Sequence, residues 1–184
     1  IGQIRDNLAK MNKRQNEQRG PTSRLPDRLQ NFTARAAEIQ KCINFLLKGE
    51  KAVVSLHGGP GFGKTAIAIE VSHKLSKDYN ILVIFSQLTA ATSVDDIIRE
   101  LGLHVGVNNE NEDKDPKSSL ILWLKNIESE VIFVMDDIDQ LLDNEDKSAT
   151  FYAFVGLLRN LNHNCQIVTT SRIAYKIDDL PTGE

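Results

Sequence analysis

Apolar residues recur along the chain in two patterns that alternate. Short, largely apolar runs at residues 52–57, 81–85, 131–135 and 166–170 predict β-strands, and the solid run at 81–85 suits a strand covered on both faces. Apolar residues spaced three and four apart predict amphipathic helices between the runs. The helical spacing is carried by Ile39, Ile43, Leu46 and Leu47; by Ile67, Val71 and Leu75; by Val94, Ile97, Ile98 and Leu101; by Leu120, Trp123, Leu124 and Ile127; and by residues 151–161. This alternation predicts a three-layer α/β domain with a mainly parallel sheet flanked by helices.

Polar residues mark the starts of two of these helices. Ser93 and Asp96 have the spacing of a capping box, in which each side chain satisfies a backbone N–H of the first helical turn. Asp115 followed by Pro116 fits an N-cap and a first helical position, where the missing N–H of proline costs nothing. Both helices therefore have a predicted first residue as well as a predicted buried face.

The N-terminal segment differs from the rest of the chain. It is polar, and its few apolar residues have helical spacing before Gly20-Pro21 interrupts the pattern; they are Ile1, Ile4, Leu8 and Met11. We predict that residues 1–24 form a linker helix from an upstream region and that residues 25–184 form the folded domain. The first residue is not Met, so the sequence is expected to be a fragment of a longer chain.

The composition narrows the class of protein. A length of 184 residues suits one domain, and the hydrophobic share of 41% and charged share of 26% are ordinary for globular proteins. No apolar run approaches the roughly 20 residues that span a bilayer, and no signal peptide precedes the domain, so we predict no membrane partner. Cys42 and Cys165 lie far apart without metal-ligand spacing, which fits buried thiols in a reducing, cytoplasmic compartment.

Charge is distributed unevenly along the sequence. Residues 1–35 hold eight Lys and Arg against three Asp and Glu, whereas the remainder holds 14 against 22. The predicted domain is therefore acidic, and its charge does not indicate a nucleic-acid surface. We predict no nucleic-acid partner.

A glycine-rich stretch follows the first predicted strand and opens a predicted helix. It satisfies the pattern Gly-x-x-x-x-Gly-Lys-Ser/Thr and reads Gly58-Gly59-Pro60-Gly61-Phe62-Gly63-Lys64-Thr65, with Ala66 next. Glycines let the backbone curl so that several N–H groups point at phosphate oxygens, and the helix N-terminus adds a positive dipole end. Lys64 would reach the β- and γ-phosphates, and the Thr65 hydroxyl would bind magnesium. The stretch predicts a P-loop that binds ATP or ADP with Mg²⁺.

Two carboxylates end the third predicted strand. Asp136 and Asp137 follow the run Val131–Met135, at the end of a parallel strand where ligands of α/β sheets gather. We predict that Asp136 holds the magnesium ion and that Asp137 is catalytic, orienting or deprotonating the attacking water. Asp139 lies nearby and is interpreted as a surface or capping residue.

A third polar group, Thr170-Ser171-Arg172, ends the fourth predicted strand. An arginine at this position could distinguish a triphosphate from a diphosphate through its fixed charge. The alternative is that Arg172 makes a surface ion pair, and the sequence leaves both interpretations open.

Together these three groups resemble the nucleotide-binding domain of STAND-class ATPases, especially the NB-ARC family of apoptotic-protease activators and plant immune receptors. The family also has a hydrophobic–hydrophobic-Gly-Arg-Glu segment that contacts adenine. Residues 32–36 occupy that place and keep Phe32 and Arg35, but they lack its Gly and Glu. The resemblance implies that Phe32 and Arg35 contact the base, although a solvated Arg35 at a helix start is the plain alternative.

The resemblance also implies a signalling switch. In that family the ADP form is closed, and exchange for ATP opens the protein for oligomerisation in immunity, cell death or transcription. The expected partners are ATP or ADP, further copies of the full-length protein, an upstream effector domain and a downstream sensor domain. The sequence ends at Pro181-Thr182-Gly183-Glu184, so the resemblance implies that the helical and winged-helix domains of the family would follow.

Other P-loop classes fit less well. The sequence lacks the Asn-Lys-x-Asp of GTPases and the Leu-Ser-Gly-Gly-Gln of ABC transporters, and no Arg-rich lid of a small-molecule kinase is found. An AAA+ motor usually has Asp-Glu in place of Asp136-Asp137 and Asn in place of Arg172. Two alternatives from other classes stay open. One is a nucleotide-binding module without significant hydrolysis, and the other is an interaction scaffold that uses the basic N-terminal stretch and the acidic loop at residues 110–115.

Overall fold

The computed structural model describes residues 22–30, 32, 34–49, 53–107, 115–162 and 164–175. The helices and strands are α1 (Ala36–Lys48), β1 (Val53–His57), α2 (Lys64–Asp78), β2 (Leu82–Gln87), α3 (Val94–Val105), α4 (Pro116–Asn126), β3 (Val131–Asp136), a 3₁₀ turn (Asp139–Leu141), α5 (Glu145–Leu161) and β4 (Cys165–Ser171). The predicted helix in residues 1–20, most of the acidic loop and the last four residues lie outside the described residues.

The four described strands form one parallel sheet in the order β1-β4-β3-β2. Because consecutive strands β1 and β2 are separated by β3 and β4, the P-loop that follows β1 lies next to the end of β4. In register, His57 pairs with Ser171, and Met135 pairs with Thr169. The carboxyl ends of β1, β4 and β3 therefore meet at one edge, and the predicted parallel α/β fold is confirmed.

Apolar side chains cover both faces of the sheet, which explains why its strands show no alternation in sequence. On β3, Phe133 and Met135 pack on the side of α3, α4 and α5. Ile132 and Val134 pack on the opposite side, against α1 and α2. All four are fully buried. Within the described ranges, no helix has the length and apolar character needed to cross a membrane.

The predicted helix starts at α3 and α4 match the structure. Ser93 Oγ accepts from the Asp96 N–H, while the Asp96 carboxylate accepts from the Ser93 N–H. The Asp115 carboxylate accepts from the Ser118 N–H, and Pro116 opens α4. Caps of this kind stabilise a helix by about 1 kcal/mol each, because they satisfy N–H groups that have no partner within the helix.

We call residues 22–30 the N-terminal strap, and its first part runs along the edge of β2. The Arg24 N–H donates to the Val83 carbonyl at 3.1 Å, and the Phe85 N–H donates to the Arg24 carbonyl at 3.1 Å. Ser23 Oγ accepts from the Val83 N–H at 2.9 Å. Ser23 and Arg24 belong to the stretch that the sequence assigned to the linker. Their contacts shield an edge that would otherwise offer unpaired backbone groups.

The strap continues across the outer side of α2. Arg28 Nη2 donates to Glu70 Oε2 at 2.7 Å, and Arg28 Nε lies 3.0 Å from both oxygens of the same carboxylate. Glu70 is only 3% exposed. The hydrogen bonds from Arg28 lower the pKa of the Glu70 carboxyl, and they outweigh burial, which acts in the other direction. The strap therefore contacts the helix that begins at the P-loop.

Candidate functional site

The P-loop and the carboxyl ends of three strands enclose a cleft of about 170 Å³. Its walls include six residues of the predicted site: Pro60, Lys64, Thr65, Asp136, Asp137 and Arg172. Ligands of open α/β sheets bind outside the carboxyl ends of the strands, so the cleft lies where the fold places such sites.

The P-loop is shaped by glycine conformations and by its own lysine. Gly63 precedes α2 with φ 77°, a left-handed conformation that glycine adopts without strain. Lys64 Nζ donates to the carbonyls of Gly58 at 2.8 Å and Gly59 at 2.9 Å. The Gly58 N–H donates to the Ser171 carbonyl at 3.3 Å, which attaches the loop to the end of β4. The loop thus surrounds the ammonium group at the start of a helix.

Asp136 is a buried carboxylate, only 1% exposed, at the end of β3. Its Oδ1 accepts from Thr65 Oγ1 at 2.8 Å and from Thr170 Oγ1 at 2.6 Å. The backbone carbonyl of Asp136 accepts from the Leu88 N–H at 2.7 Å. Hydroxyl groups from α2 and β4 therefore meet on one carboxylate oxygen of β3. This arrangement brings together the two predicted magnesium ligands.

Asp137 has an unusual backbone conformation. Its φ is 61°, in the left-handed region, which Asp tolerates better than most residues. Such a conformation costs on the order of 1 kcal/mol and persists where surrounding contacts hold it. One such contact is the Thr170 hydroxyl, which accepts from the Asp137 N–H at 2.8 Å. Thr170, itself only 1% exposed, therefore fixes both Asp136 and Asp137.

The carboxyl groups of Asp137 and Asp139 interact, and their pKa values are shifted in opposite directions. Burial raises the pKa of Asp137, and a hydrogen bond with Asp139 raises it further, while a hydrogen bond with Thr89 acts against both. Burial alone would raise the pKa of Asp139 too. Hydrogen bonds with the Arg172 backbone, with Asp137 and with the Arg172 side chain outweigh burial and lower it. Asp137 is thus the more readily protonated of the two.

Arg172 is paired with Asp139. The Arg172 N–H donates to Asp139 Oδ1 at 2.7 Å, and Arg172 Nε donates to Asp139 Oδ2 at 2.9 Å. The Asp139 side chain is 16% exposed and borders the cleft, so it is more enclosed than the surface position expected for it. The two alternatives for Arg172 are therefore not exclusive, since it makes an ion pair and also borders the cleft.

Phe32 and Arg35 do not line this cleft. Phe32 is half-buried and packs against the core on the side of α1 and α2. Arg35 precedes α1 with φ 67°, and its Nη1 donates to Glu38 Oε1 at 2.9 Å. Contact between these two residues and adenine remains a prediction.

Five further residues line the cleft without having been singled out for a role there: Gln87, Thr89, Asp139, Thr170 and Ser171. Gln87 and Thr89 lie at and just after the carboxyl end of β2. The rule that drew attention to Asp136 and Asp137 could have found them, because it applies to each strand of a parallel sheet. The role of the Thr170 hydroxyl had no such signal, since it depends on which strand lies next to β3.

The residues of the cleft suit a magnesium–nucleotide complex. Magnesium prefers oxygen ligands and usually binds to one or two protein groups together with phosphates and water. Thr65 Oγ1 and Asp136 Oδ1 lie 2.8 Å apart and are oxygen donors of this kind. Among the described residues, no group of three or more His, Cys, Asp or Glu side chains forms a metal cage. The donor set therefore fits a metal that shares its coordination with phosphates.

The family model for the NB-ARC domain matches residues 35–175. No curated protein sequence matches the chain.

Solved structures of several other proteins share the fold. The Aeropyrum pernix ORC2 protein (ADPNP–ADP complexes) aligns with a TM-score of 0.65 at 13% identity over 81% of this chain and 43% of its own. Drosophila ORC bound to DNA gives 0.61 at 16% identity over 78% and 38%. Cdc6p from Pyrobaculum aerophilum gives 0.60 at 17% identity over 80% and 41%. The chain thus spans less than half of each of these structures, and the low identities establish a shared fold only.

These structures correct one prediction. We predicted no nucleic-acid partner from the acidic balance of the domain, and that prediction is wrong. Drosophila ORC has this fold and was solved bound to DNA, and A. pernix ORC1 was solved in complex with DNA. Net charge is an average over a whole surface, so it says little about a local patch or about other parts of a longer protein.

Proposed function

Since this chain belongs to the NB-ARC family, a group of nucleotide-binding P-loop ATPase domains, we propose that it is the ATP/ADP switch of a larger cytoplasmic signalling protein. In this proposal ADP holds the protein closed, and exchange for ATP opens it and allows oligomerisation. Slow hydrolysis then returns the protein to the closed state.

The proposal rests on one observation. The hydroxyls of Thr65 and Thr170 both donate to one carboxylate oxygen of Asp136, and Lys64 lines the same cleft. Lys64 would exchange its contacts with loop carbonyls for the β- and γ-phosphates. Thr65 and Asp136 would hold a magnesium ion, which neutralises phosphate charge when it is bound. The ADPNP and ADP complexes of A. pernix ORC2 support an adenine nucleotide.

Asp137 would take part in ATP hydrolysis, and Arg172 would distinguish ATP from ADP. Asp137 would orient or deprotonate the water that attacks the γ-phosphate. A base works best when its pKa lies near the working pH, so the raised pKa of Asp137 is favourable. Arg172 would sense the γ-phosphate through its fixed charge. P-loop sites that receive no arginine finger from a partner protein hydrolyse at roughly 10⁻⁴ to 10⁻² per second, which suits a timer.

The base and the flanking domains complete the proposal. Phe32 and Arg35 would contact adenine. Residues 25–184 would form the nucleotide-binding domain, residues 1–24 would link it to an upstream effector, and a sensor domain would follow. The nearly buried Glu70 on α2, paired with Arg28, offers a route by which movement of the upstream segment reaches the P-loop helix.

The nucleotide content of the full-length protein tests the proposal directly. The protein would be purified, denatured and analysed by chromatography for released nucleotide. We expect about one ADP per chain. Light scattering should then show a larger assembly with a non-hydrolysable ATP analogue than with ADP. An empty protein that binds ATP weakly, or an assembly size that ignores the nucleotide, would contradict the switch.

Asp137→Ala separates a hydrolysing switch from a module that only binds. We expect nucleotide affinity to change little and single-turnover hydrolysis to slow by about 100-fold, because a positioned base typically contributes 10²- to 10⁴-fold. Asp143→Ala, which removes an exposed carboxylate between the 3₁₀ turn and α5, is the matched control. Equal hydrolysis rates in both variants would favour the binding module.

A further inference from the structure

The contact between Asp139 and Arg172 uses both oxygens of one carboxylate. Oδ1 accepts from the Arg172 main-chain N–H at 2.7 Å, and Oδ2 accepts from Nε at 2.9 Å. A carboxylate that binds both the backbone and the side chain of one residue restrains the position of that residue and the direction of its side chain. An exposed ion pair between two long side chains imposes no such restraint.

Asp139 stands on a rigid support. It begins the 3₁₀ turn Asp139–Leu141, and its neighbours Ile138 and Leu141 are buried at 0% and 1% exposure. The Ile138 N–H donates to the Thr170 carbonyl at 3.0 Å, which joins the turn to the end of β4. The carboxylate is therefore held between the same two strand ends that carry Asp136 and Arg172.

The bond to Nε leaves the outer end of the guanidinium available. Among the described residues, no hydrogen-bond partner is found for the two terminal NH₂ groups of Arg172. Arg172 borders the cleft together with Lys64, Asp136 and Asp139, although its side chain is 63% exposed. A planar guanidinium held at Nε keeps N–H donors free for a phosphate oxygen.

We propose that Asp139 is a positioning residue that holds Arg172 so that its terminal NH₂ groups face the terminal phosphate of a bound nucleoside triphosphate. This inference rests on the proposed function and adds a residue to it. Asp139 itself need not touch the nucleotide. Its effect should appear only in the difference between triphosphate and diphosphate binding.

The test uses the full-length protein and measures affinity for ATP and ADP separately, by competition against a fluorescent ADP analogue. The variants are Asp139→Ala, Arg172→Ala, the double variant and the control Asp143→Ala. We expect Asp139→Ala to reduce the preference for ATP over ADP by about threefold to tenfold, which is a typical coupling for residues in contact. The double variant should match Arg172→Ala, because Asp139 acts through Arg172.

Asp139→Asn is a second variant that keeps the test valid if Asp139→Ala fails to fold. Asparagine keeps the size and can still accept from the Arg172 N–H, so a smaller loss of ATP preference is expected. The same loss in the Arg172→Ala background would show that Asp139 acts by another route. An unchanged preference in both Asp139 variants would overturn the proposal. An increased preference would also overturn it, because Asp139 would then be holding Arg172 away from the phosphate.

Failure of this inference is distinguishable from failure of the proposed function. If the unaltered protein binds neither nucleotide, the switch proposal fails and the inference fails with it. If the unaltered protein binds both and only the Asp139 variants behave like Asp143→Ala, the positioning role alone is wrong.

Discussion

The two halves of the cleft are built by different means. The P-loop, residues 58–65, is closed by short-range contacts, as when Lys64 bonds to carbonyls five and six residues before it. The opposite half, which we call the carboxylate wall, comprises Asp136, Asp137 and Thr170. Its own hydrogen bonds join residues 33 and 34 positions apart, and a third bond joins Asp136 to Thr65 of the P-loop, 71 positions away. The P-loop depends mainly on local backbone geometry, whereas the carboxylate wall depends on which strands are neighbours.

Burial separates the two halves as well. Phe62 in the P-loop is 62% exposed, whereas Asp136 and Thr170 are each 1% exposed. A buried polar group that loses its partner destabilises the fold, whereas an exposed one can bond to water. We therefore expect changes in the P-loop to affect nucleotide binding far more than stability, and changes in the carboxylate wall to affect both.

Lys64→Ala should give the largest effect on nucleotide binding and the clearest separation between binding and stability. Removing a cation that contacts phosphate costs about 2–5 kcal/mol, so affinity for ADP should fall by about 100-fold or more. The free energy of unfolding should change by less than about 1 kcal/mol, as is usual for sites outside the core. Calorimetric titration and urea denaturation measure the two quantities. Lys77→Ala, near the end of the same helix, is the control.

A Lys64→Ala protein that binds ADP as tightly as the Lys77→Ala control would exclude the P-loop as the phosphate site. One that binds weakly but is also strongly destabilised would contradict the contrast between the two halves.

Thr170→Val tests the carboxylate wall. The substitution removes the hydroxyl that donates to the Asp136 carboxylate and accepts from the Asp137 N–H. The free energy of unfolding should therefore fall by about 1–3 kcal/mol. Thr169→Val is the matched control, because Thr169 is equally buried in the same strand and bonds to the Tyr175 hydroxyl. Both variants should lose stability, measured by urea denaturation.

Only Thr170→Val should also reduce magnesium-dependent ATP affinity and slow hydrolysis, since only Thr170 contacts the two carboxylate-bearing residues. If both variants bind ATP equally well, the Thr170 hydroxyl is structural and the carboxylate wall does not couple stability to function.

Gly63→Ala should cost less stability than Thr170→Val and should weaken ADP binding less than Lys64→Ala does. Its φ is 77°, and Gly106, which ends α3, has φ 78°; a Cβ at either position meets no atom within 4 Å. Each substitution to Ala should therefore cost about 1 kcal/mol of unfolding free energy through backbone strain alone. Gly63→Ala should also weaken ADP binding, because it strains the loop that would hold the phosphates. Equal ADP affinity in the two variants would show that the loop does not need this backbone conformation.

Local features of the molecule could be predicted closely from sequence. The capping box of Ser93 and Asp96 involves residues three positions apart, and the P-loop pattern ends where α2 begins at Lys64. Buried strands such as β3 were predicted because nearly every residue in them is apolar. In each case the determining interaction lies within one turn of helix or within one run of residues.

The remainder depended on tertiary structure. Nothing in the sequence specified that β4 lies between β1 and β3, or that Ser23 and Arg24 lie along β2. The contact of Asp139 with Arg172 follows from that strand order, as does the role of Thr170. The edge contacts of Arg24 arise from a segment that is polar and lacks any strand pattern.

The sequence alone therefore determined the phosphate-binding loop, the element types and the presence of carboxylates at a strand end. These depend on spacing, backbone freedom and hydrophobic pattern, which are local properties of the chain. Only the tertiary structure decided which hydroxyl reaches Asp136 and which carboxylate holds Arg172. The physical reason is that non-consecutive strands come together through packing of both sheet faces, and the register of their hydrogen bonds then fixes which side chains meet.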